Sequence, residues 1–271
     1  MDRKTPDPEK ETLTDVQSLK DHRCLDIDRV GVKDIRYPII VRDRSRGQQN
    51  TIASINMYVK LPHSFKGTHM SRFLEVLAEY DQAISIASLP DLLDKIRSRL
   101  DAEEAHIELK FPYFIHKTAP VSKSVALMDY QIEFLAVLNG DKYSMIMKVM
   151  VPVTSLCPCS KEISDAGAHN QRSHVTVSLQ FRKFVWVEEI IDLVESNASC
   201  QLYTILKRPD EKYVTEKAYA NPQFVEDMVR SVAADLEKDS RVNWFTVESE
   251  NFESIHNHSA YALIEGGQKE Y

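Results

Sequence analysis

The sequence predicts an α+β fold of two ββααββ-like modules, each an antiparallel sheet with helices on one face. Three observations predict it. The chain has 271 residues, of which 43% are hydrophobic, enough to bury a sizeable core. Stretches with apolar residues at every second position come in pairs, which is the pattern of half-buried strands. Between the pairs lie stretches with apolar residues at helical spacing, and the order strand, strand, helix, helix, strand, strand recurs roughly twice. No identity between the halves is visible, so the repeat rests on element order.

In chain order, residues 1–30 lack sustained periodicity and read as a flexible tail. Ile35 to Val41 and Thr51 to Val59 read as strands joined through the polar segment Arg44 to Asn50, a hairpin. His69 to Tyr80 carries Met70, Phe73, Leu74 and Leu77 at helical spacing. Leu89 to Leu100 repeats it with Leu92, Leu93, Ile96 and Leu100, and Pro90 suits a first turn. His106 to His116, Ser124 to Leu138 and Tyr143 to Val153 read as strands, with Asn139-Gly140-Asp141 as the turn between the last two. The first module is therefore expected over 31–140 and the second over 141–271. In the second, His174 to Phe184 is expected to be a strand and Val185 to Ser196 a helix. Pro222 to Glu237 follows as a helix capped by Asn221, then strands at Val242 to Ser249 and Ser259 to Ile264.

Composition excludes several functions. A net charge of -7 repels polyanions, so extended nucleic-acid binding is not expected, although local Lys and Arg clusters can hold a small anion. No run approaches the roughly 18 apolar residues of a membrane span. The polar start of the chain does not read as a signal peptide, so a cytoplasmic protein without membrane partners is expected. Four cysteines are too few for a disulfide scaffold. The seven glycines form neither a P-loop nor a dinucleotide fingerprint.

The chemistry concentrates in the connection that runs from Val151 to His174, where Cys157 and Cys159 flank Pro158, and His169 and His174 follow. Thiolate and imidazole together suit zinc, iron or manganese better than magnesium or calcium. The spacing is not that of a structural zinc knuckle, and the bland alternative is a pair of small buried thiols beside ordinary histidines, which is the better reading for His174. Leu206 to Glu216, with Asp210 and Glu211, reads as a solvated charged loop. Glu253 and His256, three residues apart, suit shared proton transfer and equally suit a polar surface connection. Glu226, among Phe224, Val225, Met228 and Val229, reads as a helix-edge carboxylate, or as one that grips a ligand with paired donors.

These stretches together resemble a known family. Ser155-Leu-Cys-Pro-Cys-Ser-Lys-Glu-Ile-Ser164 and Gly167-Ala-His-Asn-Gln-Arg-Ser173 are similar to the signature of GTP cyclohydrolase I type B. So are Lys66-Gly-Thr-His-Met-Ser-Arg-Phe73, Leu206 to Glu216, Asn221 to Arg230 and Glu253 to Ala262, so the resemblance covers nearly everything after residue 30. It implies a tunnelling fold, a homotetramer with active sites between subunits, and hydrolytic opening of the guanine imidazole ring of GTP. Formate and 7,8-dihydroneopterin triphosphate, a folate precursor, would be the products of such a hydrolase acting on cyclic amidines. By resemblance, Cys157, His169 and Glu211 hold one divalent metal (manganese, zinc or iron), with no organic cofactor. Glu253 and His256 would move protons, with His256 alternatively a fourth ligand. Glu226 would hold the guanine edge, a bidentate contact that adenine cannot satisfy. Lys66, His69, Arg72, Lys161 and Arg172 are candidates for the triphosphate, some of them from a neighbouring subunit. The alternatives are a related cyclohydrolase with a cyclic-phosphate product, a nitrile reductase of the same fold, and a metal-binding scaffold without catalysis.

Overall fold

The computed structural model describes residues 17, 19, 22–80 and 84–270. Two long strands, β1 (Ile27–Asp43) and β2 (Gly47–Leu61), open the fold as a hairpin with Asp43 opposite Gly47. Its loop is only Arg44 to Arg46. The Asp43 carboxylate closes it by accepting from the Ser45 and Arg46 N–H groups at 2.8 and 2.9 Å. The polar residues Gln48 to Asn50, expected in the connection, are instead the solvent-facing start of β2. On β2, Ala53, Ile55, Met57 and Val59 alternate into the core.

Helices α1 (Met70–Glu79) and α2 (Leu89–Leu100) cover that face, burying Phe73, Val76 and Leu77 from one and Leu89, Leu92, Leu93 and Ile96 from the other. Strands β3 (Glu104–Thr118), β4 (Val125–Asn139) and β5 (Lys142–Leu156) then meander. Asn139 pairs with Lys142 across a two-residue turn in which Gly140 has φ +54°, the left-handed region that glycine enters without a Cβ clash.

The second half continues with α3 (Pro158–Ile163), β6 (Asn170–Phe181), α4 (Val187–Ser196) and the two-residue β7 (Cys200–Gln201). It ends with α5 (Arg208–Ala220), α6 (Val225–Lys238), β8 (Val242–Asn251) and β9 (Ala260–Gly267). All strands among the described residues join one nine-stranded antiparallel sheet in the order β1-β2-β3-β4-β5-β6-β8-β9, with β7 beside β5. α4 and α6 present Ile190, Ile191, Val194, Met228, Val229 and Val232 to a core continuous with that of the first half. No helix among the described residues is long and apolar enough to cross a membrane.

Four expectations need correction. β1 begins at Ile27, inside the segment read as a tail, while residues 1–16, 18, 20 and 21 lie outside the described ones. Leu206 to Glu216 is not a loop, since α5 starts at Arg208. α5 has few apolar residues to bury and so little periodicity, which hid it. The next helix starts at Val225, not Pro222. Phe224 caps it with its N–H bonded to Asp227 Oδ2 at 3.1 Å, while Asn221 ends α5. His174 sits within β6, which begins four residues before it.

Candidate active site

The C-terminal end of β5, the start of β6 and the C-terminal end of β8 are neighbours, because Leu156 pairs with Asn170 and Ser173 with Asn251. Cys157 follows β5 directly and caps α3, its thiol accepting from the Ser160 N–H at 3.4 Å. The Cys157 N–H donates to the His169 carbonyl at 3.1 Å, which locks the two residues side by side. Both are half-buried, whereas Cys159 is exposed on the first turn of α3.

Glu253, just beyond β8, enters the same corner. Its side chain is 14% exposed, as is that of His169, and Glu253 Oε2 lies 3.9 Å from His169 Nδ1. Between them stands Gln171, a buried residue the sequence reading passed over. Its Oε1 lies 3.0 Å from His169 Nδ1, and its Nε2 donates to Ser155 Oγ at 2.9 Å and to Glu253 Oε1 at 3.4 Å. Ser155 Oγ lies 2.8 Å from Ser173 Oγ, both fully buried, so a polar stack continues beneath the site. His256 and His258 are exposed on the β8–β9 connection, with their rings stacked at 5.0 Å.

Two helices are tied to this corner. The Gln223 N–H donates to the Leu156 carbonyl at 3.0 Å, bringing the start of α6, with Glu226 exposed on its first turn, next to Cys157. α5 packs through Val214 and Ala218 against Leu156, Cys200 and Ala168, and Lys161 Nζ donates to the Tyr219 carbonyl at 2.6 Å. Glu211 lies three and seven residues before Val214 and Ala218, on the same side of α5. Its neighbour Asp210 anchors the helix. The fully enclosed carboxylate accepts from the Val121 and Ser122 N–H groups at 2.8 Å and from the Lys207 N–H at 2.9 Å. Burial alone would raise the Asp210 pKa, but the hydrogen bonds from Ser122, Lys207 and Val121 prevail and hold it well below the usual carboxylate range.

Among the described residues, no group of three His, Cys, Asp or Glu side chains stands close enough to hold a metal ion. Cys157 and His169 are together, and Glu211 belongs to the helix beside them without closing the set within the chain. The donor types themselves fit a divalent transition metal, as a thiolate, an imidazole and a carboxylate.

Arg172 is exposed on β6, on the face that carries His174. Burial lowers the His174 pKa and the Arg172 charge lowers it further, against Glu250. Lys66, His69 and Arg72 are elsewhere. They follow the C-terminal end of β2, which pairs with the start of β3, and so on to the start of β5. His69 and Arg72 line a cavity of about 150 Å³ with Lys60, Thr68 and Asp101. The length of β5, roughly 45 Å at about 3.3 Å per residue, separates that end of the sheet from Cys157.

The comparisons with known proteins agree with this architecture. The family model described as type I GTP cyclohydrolase folE2 matches residues 13–262. A GTP cyclohydrolase FolE2 of Magnetococcus marinus is 72% identical over 257 residues, covering 95% of this chain and 97% of that protein. Another, of Nitrosococcus oceani, is 61% identical over 253 residues, covering 93% and 95%. Among solved structures, a highly active mutant of Bacillus sp. TB-90 urate oxidase superposes with a TM-score of 0.53 at 10% identity, over 89% of this chain and all of that one. At that identity the likeness concerns the fold alone, which is the tunnelling fold.

Proposed function

This chain belongs to the type I GTP cyclohydrolase FolE2 family, and from that premise we propose that it opens the imidazole ring of GTP. Water adds at carbon 8, formate leaves, and ring closure gives 7,8-dihydroneopterin triphosphate for folate synthesis in the cytoplasm. The observation that carries the reading is the gathering of Cys157, His169, Glu253 and the Glu226 end of α6 at one end of the sheet.

Cys157, His169 and Glu211 would hold one divalent manganese, zinc or iron ion, which supplies Lewis acidity toward the attacking water and the reacting carbon. The protein's own groups do the rest. Glu226 accepts from N1–H and the exocyclic amino group of guanine, a pairing that adenine cannot offer. Glu253 receives and returns protons close to the reacting carbon, and His256 on the next connection serves the leaving group. Arg172, Lys66, His69 and Arg72 neutralise the triphosphate.

Lys66, His69 and Arg72 lie too far from Cys157 to serve the same site within one chain, so they act on the site of a neighbouring copy. Two edges support the assembly this requires. β1 and β9 end the sheet, and β9 exposes Tyr261 at 58% and Leu263 at 50%. We read the assembly as a homotetramer of chains with two modules each, 31–140 and 141–271.

The test is incubation of metal-stripped protein with GTP and added manganese, zinc or iron without oxygen. Formate and a pterin that fluoresces after oxidation should appear with metal and vanish with chelator. If neither forms with any metal, the cyclohydrolase reading fails.

A further inference from the structure

We propose that Gln171 is a positioning residue, whose carboxamide ties Glu253 to His169 and fixes Nε2 of His169 as the nitrogen that binds the metal. An ionised Glu253 carboxylate can only accept, so the group facing it at 3.4 Å must be the Gln171 amino group, Nε2. That amino group spends its second hydrogen on Ser155 Oγ at 2.9 Å, leaving Ser155 to donate to Ser173. The amide orientation is thereby set, and Oε1 points at His169 Nδ1 at 3.0 Å. A carbonyl oxygen only accepts, so Nδ1 carries the hydrogen and Nε2 carries the lone pair. Residues that hold the outer nitrogen of a metal-binding histidine in this way orient the ring and raise its basicity.

Gln171 is suited to the task. It is 8% exposed, it projects from β6 two residues after His169, and its partner Ser155 and the Ser173 hydroxyl beyond it are fully enclosed. Its arrangement cannot slacken without leaving a buried amide unpaired. The proposal rests on the reading of His169 as a metal ligand, and the controls keep the two apart.

The experiment titrates full-length, metal-stripped protein with cobalt(II) and follows the visible absorption of the bound ion, with circular dichroism to establish folding. Gln171→Met and Gln171→Leu remove the acceptor at similar volume and should weaken cobalt binding about 10- to 100-fold. Gln171→Glu should keep binding within about threefold of the parent, because an oxygen remains to accept from Nδ1 whichever carboxyl holds the shared proton. A merely structural role would impair all three alike, or none. Unchanged affinity in the Met and Leu variants overturns the proposal, as does a Glu variant as weak as they are. The Glu variant keeps the test decisive if the apolar ones do not fold. If His169→Ala binds cobalt like the parent protein, the ligand reading falls. If His169→Ala loses cobalt while the Gln171 variants keep it, only the positioning role falls.

Discussion

Replacing Glu195 with alanine tests how the floor of the site is held. Lys117 on β3 and Glu195 on α4 form a buried ion pair, 9% and 7% exposed, with Lys117 Nζ 2.5 Å from both Glu195 Oε2 and Gln201 Oε1. The Tyr130 hydroxyl donates to Glu195 Oε1 at 2.7 Å. Gln201 belongs to β7, which pairs with Val153 and Thr154 of β5 just before Cys157, so the network braces the strand that presents the thiol. Removing one partner of such a pair costs about 3–5 kcal/mol, mostly because the other charge stays buried. Here Lys117 would keep Gln201 and the Tyr203 ring, 5.3 Å away, which places Glu195→Ala near the lower end, about 3 kcal/mol. For a chain of this size that is a fall in melting temperature of roughly 6–12 °C. The double variant Lys117→Met, Glu195→Leu removes both charges at similar volume and should recover to within about 1 kcal/mol of the parent. Calorimetry and urea unfolding of all three proteins read these values, with Tyr130→Phe added to relieve the orphaned phenol. A loss below about 1 kcal/mol in Glu195→Ala, or a double variant no better than it, would refute the reasoning.

Three further outcomes are expected. Glu226→Ala should weaken GTP binding about 10²- to 10⁴-fold, as loss of two charge-assisted hydrogen bonds predicts, while metal content by elemental analysis is unchanged; loss of metal instead would show that Glu226 has another role. Asp210 titrates lower folded than unfolded, so the stability it contributes is full above the usual carboxylate range and declines as pH falls below about 4. Melting curves should therefore show Asp210→Asn least stable relative to the parent near neutrality and converging with it in acid; a gap that does not change with pH contradicts the assignment. In thiol alkylation followed by mass spectrometry, Cys157 should react in metal-stripped protein and be protected by metal, while the buried Cys200 stays unlabelled in both; labelling of Cys157 regardless of metal counts against the thiolate ligand.

The eight longer strands and four of the helices were legible because their burial is periodic, whereas the six-residue α3 and the two-residue β7 are too short to show a period. Ala53, Ile55, Met57 and Val59 alternate, and Leu89, Leu92, Leu93 and Ile96 follow a helical stripe. α5 was not, since its inward face is little more than Val214 and Ala218, and Lys207-Arg-Pro-Asp210 reads as a solvated turn. Asp210 misled for a related reason. Nothing local shows that its carboxylate is enclosed by N–H groups of Val121 and Ser122, some ninety residues away. Gln171 likewise looks like any strand glutamine until β8 brings Glu253 alongside it.

Cys157 and His169 could be paired from sequence because they bracket one short connection, whereas the reach of the basic residues depends on strand count. From β2 to β5 the chain reverses direction three times, through β3 and β4, so the exits of β2 and β5 must lie at opposite ends of the sheet. Lys66, His69 and Arg72 leave from the first exit and Cys157 from the second. An odd number of reversals could have been counted in the predicted element order alone. It means that a substrate gripped by both groups of residues must lie between two copies of the chain, whatever the loops at either end do.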